Sequence, residues 1–260
     1  MTSLVLSLFP GIGLLDMAFE EEGFCVVRGP DLLWGGDIRN FHPPAGKFDG
    51  VIGGPPCQAF SRLRHIVEAN GYKTAPNLIP EFERCVSSAL PQWFLMENVP
   101  DAPEPAVSGY LITQQMVRDV WCGGETNRLR RFSFGSLADA HQSIFSAPAN
   151  RFLIETLALH RPDPEHAALA CGGGRPVTVA VGGHGKRKIS AKSALKNYGY
   201  KTSGAFDNHK RLQGLPADFD LPPFTTAAKV KAVGNGVPLP MGRAVARAVK
   251  KALTLDEVAA

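Results

Sequence analysis

Leu4 to Phe9 is a short apolar run cut off by Pro10, Gly11 and Gly13, after which Leu14, Leu15, Ala18 and Phe19 recur at helical spacing. A strand, a glycine turn and a helix in that order constrain the fold more than any other feature of the chain. The same grammar continues. Gly23 closes the helix and Phe24 to Val27 supplies a second strand; Phe48 to Ile52 is a third, ending in Gly53-Gly54-Pro55-Pro56. A helical stretch over about 79–90 leads to a strand from Trp93 to Met96, followed by Glu97-Asn98-Val99-Pro100, and Arg131 to Gly135 reads as one more strand. Alternating strands and helices predict an α/β chain with a mostly parallel, doubly wound sheet, whose ligands gather at the carboxyl ends of its strands. The three polar turns are expected at such ends.

Composition excludes several classes. With 44% hydrophobic residues, 260 residues can bury a sizeable core, and a net charge of +4 is too small to name a polyanionic partner. Cys25, Cys57, Cys85, Cys122 and Cys171 are five, without a CxxC pair, which fits neither a disulfide framework nor a zinc site. The opening lacks a basic leader, and no stretch reaches the ~20 apolar residues of a membrane span. A soluble intracellular protein without a metal is expected.

Two regions differ in character. Between Cys171 and Phe206 glycines cluster and seven basic residues occur without an Asp or Glu, which marks a second, smaller lobe. From Pro240 to Leu253, Ala244, Val245, Ala248, Val249 and Leu253 share one helical face, predicted to pack on the main sheet.

Cys57 follows a stiff Gly-Gly-Pro-Pro turn and precedes Gln58, Phe60, Ser61, Arg62 and Arg64, a polar and basic run unsuited to a core. A lone cysteine is usually a small buried hydrophobe, but a thiolate near positive charge is a nucleophile. Glu97 and Asn98 follow at the end of the next strand, so adjacent strands would bring Glu97 beside Cys57 at one cleft. Alone, such a carboxyl could equally cap a helix or pair with an arginine.

GGPPCQAFS at 53–61 together with FLMENVP at 94–100 closely resembles the DNA (cytosine-5) methyltransferase family. The resemblance continues in order along nearly the whole chain. LFPGIGLLDMAFEEEGF at 8–24 is similar to the family's cofactor loop, GDI at 36–38 to its adenine-contacting acid, and NRLRRFSFG at 127–135 to its arginine motif. RLQGLPADF at 211–219 and AVGNGVPLP at 232–240 are similar to its closing motifs. The resemblance implies a Rossmann-like S-adenosylmethionine-dependent methyltransferase sheet with a small target-recognition lobe. It implies a catalytic and cofactor-binding domain at 1–150, a basic recognition region at 151–208, and a C-terminal segment at 209–260 returning to the first domain.

The implied function is methyl transfer from S-adenosylmethionine to carbon 5 of a flipped-out cytosine in duplex DNA, by a cytoplasmic monomer of prokaryotic or phage setting. By resemblance Cys57 attacks carbon 6, Glu97 hydrogen-bonds ring nitrogen 3 and so has to carry or share a proton, and Arg130 holds the base's carbonyl oxygen. Arg128 braces the Glu97 region, and Asn98 belongs to the same catalytic set. Phe9, Pro10, Gly11, Gly13, Asp31, Asp37, Ile38, Pro55 and Asn235 are implied on the cofactor. Gln58, Ser61, Arg62, Lys186, Arg187 and Lys188 are implied on DNA, with Ser61 to Pro80 as a closing loop.

The pattern departs in two places. Only 14 positions separate Gly23 from Asp37, so the helix that usually follows the second strand is missing. Asp31 would stand in for the ribose clamp and Trp34 would cover the adenine face, which leaves a modified donor open. The glutamine that normally opens the arginine motif is replaced by Thr126. An RNA (tRNA) cytosine-5 methyltransferase and a non-catalytic nucleic-acid-binding relative stand as alternatives. A thiol hydrolase lacks a well-placed histidine partner for Cys57.

Overall fold

A computed structural model describes residues 3–56, 76–137, 148–157 and 205–254. Its strands are β1 (Leu4–Leu8), β2 (Cys25–Arg28), β3 (Gly50–Gly53), β4 (Trp93–Asn98), β5 (Tyr110–Arg118) and β6 (Leu129–Leu137). They form one sheet in the order β2-β1-β3-β4-β6-β5, parallel from β2 to β4, with β6 antiparallel to both β4 and β5. The chain moves from β1 outward to β2, then back across to β3. The switch point of this doubly wound sheet therefore lies at the carboxyl ends of β1 and β3, where a crevice opens in such folds.

Both faces are covered at the centre of the sheet, which explains why β1, β3 and β4 read as largely apolar runs. Val5, Ile52, Leu95, Phe132 and Phe134 face one side, against Phe19 of α1 (Leu14–Glu21). Leu6, Leu8, Val51, Phe94 and Met96 face the other, against Phe82, Cys85 and Val86 of α2 (Ile79–Ala89). A short helix, α3 (Pro148–Arg151), precedes Phe152 and Ile154, which join the first face. Next come α4 (Ala205–Leu212), α5 (Thr226–Asn235) and α6 (Leu239–Thr254). α6 lays Ala244, Val245, Ala248 and Val249 into the same core, and its Arg243 and Arg247 pair with Glu21 and Glu22 at the end of α1.

Two features differ from the sequence reading. The sheet carries an antiparallel hairpin edge, because Tyr110–Arg118 is a strand that the polar Thr113-Gln114-Gln115 run disguises. Glu97 and Asn98 belong to β4 itself, since pairing with Phe132 and Arg131 of β6 extends the strand two residues past Met96. In place of a helix after β2 stand two single 3-10 turns, Leu32–Trp34 and Ile38–Asn40. Among the described residues no helix is long and apolar enough to cross a membrane, and no group of three His, Cys, Asp or Glu side chains could hold a metal ion.

Candidate active site

The turn after β1 is built on left-handed backbone. Phe9 has φ 56°, Gly11 φ 56° and Gly13 φ 82°, and the Gly13 N–H closes the turn on the Pro10 carbonyl at 2.8 Å. For Phe9 that conformation costs roughly 1–2 kcal/mol, which the surrounding core must hold in place. Asp31 caps the 3-10 turn through Oδ1, which accepts the Leu33 N–H at 2.7 Å, while Oδ2 accepts the Gly11 N–H at 2.8 Å. The indole N–H of Trp34 donates to the Gly11 carbonyl at 2.6 Å, and the exposed ring meets Phe224 edge-on at 5.5 Å. Both polar groups of the Gly11 peptide edge are thus held from the β2 side. Nothing stands within 4 Å of where a β-carbon on Gly11 would lie, so the turn borders open space.

Asp37 caps the second 3-10 turn and is grasped by Arg39, whose Nη2 lies 2.6 Å from Oδ2. That hydrogen bond holds the Asp37 carboxyl below the usual carboxylate range. The neighbouring Ile38 is buried.

Beneath the glycine turn lies a charged group that the sequence reading passes over. Asp16 is fully buried; Ser7 Oγ donates to its Oδ1 at 2.5 Å, and Arg28 Nε lies 2.9 Å from Oδ2. Burial raises the Asp16 carboxyl, against the downward pull of Ser7 and Arg28. The signal that could have found it is an acid amid the apolar residues that recur along α1.

At the ends of β3 and β4 two backbones approach closely. Asn98, buried, donates Nδ2–H to the Pro55 carbonyl at 3.3 Å and accepts the Val99 N–H on Oδ1 at 2.8 Å. A β-carbon on Gly54 would stand 3.1 Å from Glu97 Oε2, so a glycine leaves room for that carboxylate. Glu97 Oε1 lies 2.7 Å from Arg130 Nε, with the two side chains 13% and 9% exposed. The pair follows from register: Glu97 opposes Phe132, and Arg130, two residues away along β6, is its diagonal neighbour on the same face. Arg131 points to the other face, where its guanidinium donates to the carbonyls of Pro100, Ala102 and Pro103.

Arg128, assigned by resemblance to brace the Glu97 region, binds the turn between α5 and α6. Its Nη1 donates to the Gly234 carbonyl at 2.7 Å and its Nη2 to that of Asn235 at 3.1 Å. Buried Gln213 donates to the Val233 and Gly236 carbonyls of the same turn. The Asn235 main chain thus anchors Arg128, which fastens the start of β6 to the link between α5 and α6. Cys57, Gln58, Ser61 and Arg62 lie outside the described residues, as do Lys186, Arg187, Lys188 and most of 151–208.

Chemically, the arrangement joins a glycine turn open on one side to a carboxylate held by a guanidinium, across the switch point of the sheet. A family model described as C-5 cytosine-specific DNA methylase matches residues 34–158. The type II methyltransferase M.NgoPII of Neisseria gonorrhoeae is 34% identical over 116 residues, 36% of this chain and 33% of that protein. The chain thus spans about a third of the length of the first curated relatives that it matches. In fold it is similar to the Entamoeba histolytica methyltransferase EhMeth, with a TM-score of 0.59 at 14% identity over 99% of both chains. This is a Rossmann-like methyltransferase sheet, as the resemblance implies. The type II methyltransferase M.HgiGI of Herpetosiphon aurantiacus is 31% identical over 115 residues, which cover 36% of this chain and 88% of that sequence. With that relative matched over most of its length, the chain belongs to the C-5 cytosine-specific DNA methylase family.

Proposed function

We propose that the protein is a DNA cytosine-5 methyltransferase that works through a covalent adduct on Cys57. What supports the reading most is the meeting of the Gly54-Pro55 backbone with Glu97 and Asn98, because Cys57 follows Pro55 by two residues. Carbon 5 of cytosine is too weak a nucleophile to take a methyl group unaided. Attack of the Cys57 thiolate on carbon 6 forms a carbon–sulfur bond and pushes an electron pair into the ring, toward carbon 5 and nitrogen 3. Glu97, positioned by Arg130, carries or shares a proton with nitrogen 3 once the base is bound and so takes up the developing charge. After carbon 5 is methylated, a water-derived base takes its proton, and the electron pair left behind forms the 5,6 double bond, expels the Cys57 thiolate and restores the aromatic ring.

S-adenosylmethionine, when bound, supplies an electrophilic methyl group on a sulfonium. The residues fit such a donor: open space beside Gly11 admits a nucleoside, Asp31 and Asp37 bring carboxylates to the turns after β2, and Trp34, hydrogen-bonded to the Gly11 carbonyl, offers an exposed aromatic face. Rotating the target nucleotide out of a duplex costs a few kcal/mol, which contacts from Gln58, Ser61 and Arg62, and from Lys186, Arg187 and Lys188, would offset. The relatives' names include type II methyltransferases of bacteria, which favours a restriction–modification setting with duplex DNA as substrate in a prokaryotic cytoplasm; that the protein acts as a monomer is part of the proposal.

Bisulfite sequencing of DNA from cells expressing the protein tests the reading, with methylcytosine expected at one short recurrent sequence. Side-by-side assays on duplex DNA and tRNA give the substrate. No methyl transfer to either, and no covalent adduct on 5-fluorocytosine DNA with donor present and protein folded, would refute it.

A further inference from the structure

β5 ends at Arg118 and β6 begins at Leu129, so the loop 119–128 decides where the arginines of β6 stand. Asp119, fully buried, opens that loop. Its Oδ2 accepts the Thr126 N–H at 3.0 Å and the Thr126 hydroxyl at 2.6 Å. Backbone bonds reinforce the knot: Asp119 N–H donates to the Arg128 carbonyl and Val120 N–H to that of Thr126, both at 3.0 Å. Arg118 Nη1 donates to the main-chain and side-chain oxygens of Asn127. A β-carbon on Gly124 would collide with the Asp119 carboxylate, so the loop is folded tightly around that group. Thr126 is 1% exposed, and a carboxylate oxygen that satisfies two buried donors at once is costly to remove.

Thr126 lies two residues before Arg128, which holds the Gly234 and Asn235 carbonyls, and four before Arg130, which holds Glu97. It also stands where the arginine motif usually has a glutamine. We propose that Asp119, acting through Thr126, is a positioning residue that keeps Arg128 and Arg130 in register with the 234–235 turn and with Glu97. A longer glutamine side chain is thereby replaced by a short hydroxyl and a buried acid supplied from the opposite side of the hairpin. The inference rests on the methyl-transfer reading for its catalytic consequence, but not for its geometry.

The test uses the full chain and four variants: Thr126→Val, Thr126→Ser, Asp119→Asn and Asp119→Leu. One readout is the single-turnover rate of methyl transfer. The other, independent of turnover, is the Arg130 Nε–H resonance, assigned by its loss in Arg130→Lys and protected from solvent exchange by Glu97. Thr126→Val keeps the shape and loses the hydroxyl. It is expected to expose the Arg130 resonance to exchange and to slow the rate by about 100-fold, the scale of a 1 Å misplacement, with S-adenosylhomocysteine and DNA affinities within about twofold. Asp119→Leu should do the same. Thr126→Ser and Asp119→Asn, which keep a donor and an acceptor, should retain protection and most of the rate. Full protection in a folded Thr126→Val protein, or a Thr126→Ser variant as impaired as Thr126→Val, would overturn the proposal. A wild-type protein that transfers no methyl group, yet loses Arg130 protection on Thr126→Val, would sink the activity and leave the positioning role standing.

Discussion

The ion pair between Glu97 and Arg130 carries a thermodynamic consequence that does not depend on turnover. Arg130→Ala leaves a carboxylate 13% exposed, and Glu97→Ala leaves a guanidinium 9% exposed, each beside the apolar sheet face of Leu95 and Phe132. Removing one member of a buried pair typically costs about 3–5 kcal/mol, because the other charge stays desolvated. Water still reaches both groups a little, so we expect about 2–3 kcal/mol for either single substitution. The double variant removes both the orphaned charge and the attraction. Two unit charges about 4 Å apart at an effective dielectric near 20 attract by ~4 kcal/mol, and their desolvation offsets much of that. A coupling energy of about 1–3 kcal/mol is therefore expected from the cycle of wild type, Arg130→Ala, Glu97→Ala and the double variant. Urea unfolding midpoints at pH 7 read it, provided that the slopes stay equal across the four proteins. Additive effects, with coupling under about 0.5 kcal/mol, would show that the two groups do not feel each other, and the account of Glu97 held by Arg130 would fail.

Cys57→Ala is expected to abolish methyl transfer while duplex DNA still binds in a gel-shift assay; retained turnover would remove Cys57 from the chemistry. Gly54→Ala pushes a methyl group to 3.1 Å from Glu97 Oε2, so the carboxylate must yield by a few tenths of an ångström. The single-turnover rate should fall about 3–10-fold with S-adenosylhomocysteine affinity unchanged, and an unaltered rate would mean that Glu97 has slack. Burial raises the Asp119 carboxyl above the ordinary 3.8, so between that value and its raised one the native state binds more protons than the unfolded chain. Its contribution to stability is present at low pH and is lost as pH rises through that window. The stability difference of wild type minus Asp119→Asn should accordingly fall as pH rises from about 4 in urea titrations, and a difference that grows would reverse the assignment. Neutralising Lys186, Arg187 and Lys188 together should lower the slope of log affinity against log salt by about 2–3, and an unchanged slope would put DNA elsewhere.

What could be read from the chain beforehand was local in origin. The turn at Pro10–Gly13 demands left-handed backbone, and glycines announce that wherever they fall, so the switch point of the sheet was visible without any partner strand. The stripe Ala244, Val245, Ala248, Val249 of α6 was visible for the same reason: one helix face, one period. The residues that escaped are those whose state is set by distant chain. β5 alternates Thr113, Gln115 and Val117 with Ile112, Gln114 and Met116, too polar to read as strand until β6 pairs with it across a loop too long to carry a hairpin signature. Pairing with the same β6 draws Glu97 and Asn98 into β4, and Arg128 finds its acceptors more than a hundred positions away. Asp16 and Asp119 escaped because periodicity counts every acid as a surface residue. Each is fully buried and hydrogen-bonded to a hydroxyl, Asp16 under the glycine turn and Asp119 behind the arginine strand. The side chains assigned to a substrate were named from motif spacing, whereas those that hold Glu97 and the arginines in place were not. An aiming residue is defined by what it reaches in three dimensions, and a hydroxyl with a buried acid can replace a longer amide there without leaving a recognisable word in the sequence.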